Sequence, residues 1–204
     1  CYTCSGATSS TCNYYSCRSS SRLTALKNAA NSLNNILLDT AVKDNNRIAA
    51  VTWNDQFRSK LDFTNNKTLV SNFLSNISAR YSTNSTTGLT QAQSMATAAT
   101  GFQAGHVHAL VLLTDGENNG GGGAHDQSID DASVAICNTF KTMDPATIIF
   151  TIGLGDAVTK NTIEGINIDK FLRKCASGDS AQNGGESGTQ YYFIAPSAGE
   201  LNNI

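Results

Sequence analysis

The stretch that most constrains this chain is residues 106–118, HVHALVLLTDGEN, in which a short apolar run, ALVLL, stops at Thr114-Asp115-Gly116. A run this short and this uniformly apolar reads as a strand buried on both faces, as in parallel sheets covered by helices. An acid and a glycine at its carboxyl end fall where open α/β sheets place their ligands, in the crevice beyond the strand ends. A second run, TIIFTIGL over Thr147–Leu154, ends the same way in Gly155-Asp156.

Around these runs, apolar periodicity alternates between strand and helix. Leu23, Leu26, Ala30, Leu33, Leu37 and Ala41 recur at steps of three and four behind a serine N-cap at 19–21, predicting a helix. RIAAVTW over 47–53 reads as a strand, and 58–63 as a weaker one. Leu69, Phe73, Leu74 and Ile77 predict a short helix, and Leu89, Ala92, Met95 and Ala99 a further one, with Met95 as core filler. Ile136, Phe140 and Met143 line the inner face of a helix that carries Cys137 and holds Asp130 and Asp131 in its first turn, where the dipole favours carboxylates. A helix over 168–175, a polar loop over 177–188 and a strand over 191–195 complete the alternation. The fold expected is α/β, a Rossmann-like doubly wound and mostly parallel sheet flanked by helices.

The 204 residues suffice for one domain with a substantial core. A net charge of -2 without a basic cluster excludes the electrostatic footprint of nucleic-acid binding. No apolar run approaches the ~20 residues of a membrane span. Charged residues make up only 15% of the chain, with Ser, Thr and Asn in their place, and the six cysteines are even in number. That combination favours disulfides in an oxidising compartment. Cys1, Cys4, Cys12 and Cys17 crowd residues 1–21, a segment without apolar periodicity that reads as a disulfide-stapled loop or insertion, with the domain proper over 22–204. A four-thiolate zinc knot is the alternative, but the gaps after Cys4 and Cys12 fit no usual pairing of ligand knuckles.

Several tempting motifs carry little. The four consecutive glycines at 120–123 are not followed by Gly-Lys-Ser/Thr and read as a flexible loop rather than a phosphate cradle. His106 and His108 share one side of a strand but lack a third zinc ligand, and they belong at the strand's start, opposite the ligand edge. Asn66, Asn76 and Asn84 begin N-x-S/T triplets that chance explains in so Asn-rich a chain. A hydrolase using Asp115 and Asp156 lacks a visible nucleophile or base pair, so no enzymatic activity is expected.

The hydroxyl-rich loop 82–88 and Asp115 should project from the same sheet edge, and their oxygens suit Mg²⁺, Mn²⁺ or Ca²⁺. The succession SSRLTALKNAANSLNNIL, RIAAVTW, STNSTTGLTQAQ, HALVLLTDGENN, IIFTIGLGDAV and YYFIAPSAGELNNI resembles the von Willebrand factor A domain from its first helix to near its last. That resemblance implies a metal-ion-dependent adhesion site built from an Asp-x-Ser-x-Ser loop, a later threonine and a strand-end aspartate. By motif position the threonine corresponds to Thr83, with Thr86 and Thr87 nearby, and the aspartate to Asp115. The first strand and its Asp-x-Ser-x-Ser loop are missing, the nearest echo being Thr3-Cys4-Ser5-Gly6-Ala7. The expectation is a piece of a longer chain whose first strand lies upstream, with a partner's strand as the alternative; either way a hydrophobic edge should be exposed.

AICNTFK and LRKCASG resemble the cysteine-bearing stretches of this domain in tight-adherence (Flp) pilus assembly proteins, and cysteine-containing domains of type IV pilus tip adhesins are a second match. A disulfide between Cys137 and Cys175 is implied. So is an extracytoplasmic adhesion domain of a bacterial surface or pilus-associated protein, capturing a partner's acidic residue through a divalent cation, Mg²⁺ foremost. The alternative is a metal-free structural subunit of an extracellular fibre or pilus assembly.

Overall fold

The computed structural model describes residues 14–79, 82–155, 162–178 and 191–195, with side chains from residue 22 onward. In chain order its elements are α1 (Tyr14–Leu37), β1 (Ile48–Trp53), β2 (Phe57–Thr64), α2 (Lys67–Ser75), α3 (Ser85–Thr97), β3 (His108–Thr114), α4 (Gln127–Lys141), β4 (Thr147–Leu154), α5 (Ile163–Cys175) and β5 (Tyr192–Ala195). The strands form two sheets: β3, β4 and β5 are parallel with β4 in the middle, and β1 and β2 pair antiparallel. This is the expected helix-flanked α/β architecture, with five strands among the described residues.

β4 shows why the buried-run reading works. Paired on both sides, it buries Ile149, Thr151, Ile152 and Leu154 toward two helical layers. Its period of two sends Ile149 to the side of α3, α4 and α5, where Leu89, Ala96, Phe140, Ile168, Phe171 and Leu172 close the main core. Ile152 and Leu154 point the other way, onto Ala25, Leu26 and Ala29 of α1. β3 meets the expectation only in part. Leu112 is buried, but Ala109 is exposed and Val111 is 42% exposed. The reason is topological: β3 pairs only with β4 among the described residues, so its other edge lacks a neighbouring strand.

α1 also departs from expectation. It begins at Tyr14, ahead of the serines at 19–21, because nothing in that polar stretch breaks a helix. Its buried stripe runs through Ala25 and Asn34 toward Leu38, leaving Leu33 42% exposed. Asn34 holds the interior position because its amide donates to the Lys67 carbonyl and to Ser71 Oγ, binding α1 to α2. Three other helices, α2, α4 and α5, begin on side-chain caps: Asn66 accepts from the Thr68 and Leu69 amides, Asp126 from Ser128, and Thr162 from Gly165. Asn66, the first of the N-x-S/T asparagines, thus has a structural task.

A disulfide joins Cys137 of α4 to Cys175 of α5, both fully buried, as the resemblance implied. Cys1, Cys4 and Cys12, the Cys17 side chain and Asp156 lie outside the described residues. Beside the bridge, the Tyr192 hydroxyl donates to Asp169 Oδ1 at 2.8 Å while the Arg173 guanidinium covers its ring. Burial, then the Asp169 carboxylate, push the Tyr192 phenol well above its ordinary range. Closing a loop across a sequence separation of 38 limits the unfolded chain. Replacing both cysteines with alanine is therefore expected to cost about 2–4 kcal/mol. Urea denaturation with and without reductant measures it; equal midpoints for the oxidised and reduced protein would contradict the estimate.

Candidate functional site

The site grows from the carboxyl end of β3. Thr114 Oγ1 donates to the Gly116 carbonyl at 3.1 Å, curling the chain over as the strand ends. That turn leaves the Asp115 side chain on the rim, 50% exposed. Arg22 of α1 reaches the same place: its Nη1 lies 3.7 Å from Asp115 Oδ2. The guanidinium lies over Gly155 just after β4, where any Cβ would overlap it and where φ is +81°. A side chain at 155 would strain the backbone and push the guanidinium aside.

Two asparagines that follow the aspartate hold the facing loop. Asn119 Oδ1 accepts from the Thr83 amide at 3.2 Å, while the Asn119 amide donates to the Thr83 carbonyl at 2.9 Å. The Thr83 hydroxyl lies 3.0 Å from the position a Cβ on Gly116 would take. Thr83 is thereby brought against the Asp115-Gly116 turn. Asn118, buried, accepts from the Ser85 amide at the start of α3 and donates to Asp130 Oδ1, each at 2.8 Å. The second Asp130 oxygen is 3.0 Å from His125 Nε2. The Asn84 amide donates to the Asn54 carbonyl at 2.7 Å, tying the same loop to the end of β1.

Of the residues singled out from sequence, Thr83 and Asp115 come together at this edge. Thr86 and Thr87 do not face it: Thr86 Oγ1 bonds Ser133 Oγ across to α4, and Thr87 Oγ1 donates to the Asn84 carbonyl. His108 stacks on Phe102 at 4.0 Å at the opposite end of β3, and His106 is exposed outside the strand. Asn76 closes α2 by donating to the Asn72 carbonyl, and Asn84 Oδ1 is buried. Asp130 is a buried anchor rather than a solvated helix-end charge. Sequence reasoning missed Arg22, Asn118, Asn119 and the Asp130–His125 pair; the available signal was a run of polar residues following directly on a buried strand.

The donor chemistry at the edge suits a hard cation, since Thr83 and Asp115 offer a hydroxyl and a carboxylate. Among the described residues no group of three or more His, Cys, Asp or Glu side chains is placed to hold a metal. The guanidinium beside Asp115 already balances its charge. Thr83 and Asp115 are thus hard-oxygen donors on one edge, fewer than the six or more oxygens a divalent cation of this kind takes. Along α3 and β2 an open groove of about 500 Å³ adjoins this loop, lined by Phe57, Asn84, Thr87, Thr90 and Gln91.

A helix-flanked sheet with a threonine loop and a strand-end aspartate on its carboxyl edge defines a class of α/β domain. The family model for the von Willebrand factor type A domain matches residues 18–204, and the chain belongs to that family. No curated protein sequence matches the chain. Among solved structures, proximal thread matrix protein 1 from the mussel byssus superposes with a TM-score of 0.62 at 16% identity, over 90% of this chain and 40% of that one. A further structure of that mussel protein has zinc in its MIDAS motif. The pilus adhesin SpaC of Lactobacillus rhamnosus GG gives 0.63 at 12% identity, over 89% of this chain and 27% of that one. The vWF domain of the type V pili tip protein Mfa5 from Porphyromonas gingivalis gives 0.64 at 12% identity, over 92% and 88%. At these identities the likeness is one of fold. The chain spans well under half the length of the mussel protein and of SpaC.

The anchoring role of the asparagines is open to measurement. Asn118→Ala leaves the Ser85 amide without its partner and takes one hydrogen bond from a buried carboxylate, at an expected cost of about 2–4 kcal/mol. Asn119→Ala, at a partly exposed position, should cost about 1 kcal/mol. If urea midpoints showed Asn119→Ala to be the more damaging, the buried network would not be the anchor.

Proposed function

We propose that this domain is a protein-binding adhesion module of a bacterial surface or pilus-associated protein, acting outside the cytoplasm, that captures an acidic side chain at the carboxyl edge of its sheet. The observation that carries the reading is the Thr83 hydroxyl against the Asp115-Gly116 turn, held there by Asn119 of the same TDGENN stretch. A divalent cation, Mg²⁺ first, would supply an open coordination position for the ligand's carboxylate. Thr83 and Asp115 would hold it together with oxygen donors outside the described residues. Family membership and the pilus proteins among the structural matches support the adhesive context. Among the described residues no helix is long and apolar enough to cross a membrane.

One observation favours a second reading, a metal-free subunit of an extracellular fibre or pilus assembly: Arg22 is already paired with Asp115. Magnitude bears on the choice. A pair this exposed contributes about 0–1 kcal/mol, too little to withhold Asp115 from a cation with further ligands. Calorimetric titration of Mg²⁺ or Mn²⁺ into the protein separates the two readings. Capture through a cation predicts saturable heat, an affinity at least about tenfold lower in Asp115→Ala, and tighter binding in Arg22→Ala, where a competing positive charge is gone. No heat in any of the three proteins would establish the metal-free reading.

A further inference from the structure

The outer face of α3 presents uncharged polar groups. Thr87, Thr90, Gln91 and Ser94 follow one another at helical steps of three and four, so they stand in one row. On the helix's inner side Gly88 lies so close to Trp53 that a Cβ would overlap the indole, which seats α3 directly on the end of β1. β2 lies beyond as the second strand of that pair. The hairpin between the two turns on Asn54, whose Oδ1 accepts from the Gln56 amide and from Arg58 Nε. It delivers Phe57 to the first position of β2 with its side chain 42% exposed. Phe57 and the α3 row are the walls of the open groove of about 500 Å³, which follows the helix from Asn84 to Ser94 for about 15 Å.

The groove has unspent hydrogen-bonding capacity and no charge. None of its lining side chains is ionisable, and the neighbouring Arg58 is turned to Asn54 and to Asp55 at 3.2 Å. Thr86 and Thr87 use their hydroxyls within the protein, but Thr90, Gln91 and Ser94 make no side-chain hydrogen bond among the described residues. At the end nearest the Thr83 loop, Asn84 Oδ1 is buried without a donor.

These features select a ligand by its chemistry. A charged group would lose hydration here and meet no counter-charge. A neutral ligand with mixed character gains on both counts: each threonine sets a methyl beside a hydroxyl, and Gln91 can donate and accept at once. The Phe57 ring adds a flat apolar face whose negative quadrupole attracts C–H groups. A sugar has the matching make-up, with C–H groups on the faces of its ring and hydroxyls around the edge. A peptide strand would instead seek the outer backbone edge of β2, and there Arg58, Lys60 and Asp62 are exposed charges of the kind that deter strand addition.

We propose that the groove between α3 and β2 is a binding site for a neutral oligosaccharide. One ring stacks on Phe57 and exchanges hydrogen bonds with Thr90, Gln91 and Ser94. The next ring toward the Thr83 loop brings a hydroxyl to Asn84 and, once that amide turns to the groove, gives Oδ1 the donor it lacks. Neither Thr83 nor Asp115 lines the groove, so sugar binding is independent of any cation at the rim.

The test is amide NMR on the 204-residue protein in EDTA, titrated with cellotriose, maltotriose and triacetylchitotriose, with sialyllactose as the charged control. At least one neutral sugar is expected to give saturable shifts confined to α3 and the residues around Phe57, with β4 amides unmoved. Phe57→Ala should weaken that binding at least about tenfold. Gln91→Ala should weaken it about fivefold, and it supplies the reading should Phe57→Ala disturb the β4 amides. The proposal is overturned if no neutral sugar shifts the α3 amides at about 10 mM, or if the variants bind as tightly as the parent. Sialyllactose binding as well as the neutral sugars would overturn it too. So would shifts produced by a neutral Ser-Thr-Gln hexapeptide and by no sugar, which would assign the groove to a peptide.

Discussion

The candidate site depends on the buried amide of Asn118. One side chain holds the start of α3 through the Ser85 amide and the start of α4 through Asp130, while its own backbone follows directly on the strand-end turn. A carboxylate as buried as Asp130 would be costly to desolvate alone, and the hydrogen bonds from Asn118 and His125 offset that cost. Without them the Thr83 loop would be held against the strand-end turn by Asn119 and Asn54 alone. Its position is set by directional hydrogen bonds instead of apolar packing, which is what a polar rim open to solvent requires.

Packing determines the rest, and it does so unevenly. β4, with a strand on each side and helices on each face, has most of its apolar run buried, Ile148 and Phe150 being half-buried, and its register defined over the length of β3. β1 and β3 each have one side of that protection. Free parallel edges inside a fold are exceptional, because their amides and carbonyls compete for any strand that approaches. The disulfide between α4 and α5 lies under β4, so this covalent link, the one found among the described residues, reinforces the half of the domain that is already best packed. The half containing β1, β2 and α2 is joined to it mainly through α1, α3 and the two loops that flank α3.

How much of this is legible in the sequence follows from the range of each interaction. Thr147–Leu154 is readable to the residue because eight uniformly apolar or β-branched positions bounded by glycine allow few other structures. Thr83 and Asp115 are readable as a pair because chain order and the strand-end rule bring them to one edge. The exposure of Val111 is not readable, since it depends on whether a neighbouring strand is present. Leu33 and Asn34 exchange their expected environments because a polar partner on α2, distant in sequence, makes the buried amide favourable. The roles of Arg22 and of Asp130 as an anchor escape notice for the same reason: each arises only once another segment has folded against it.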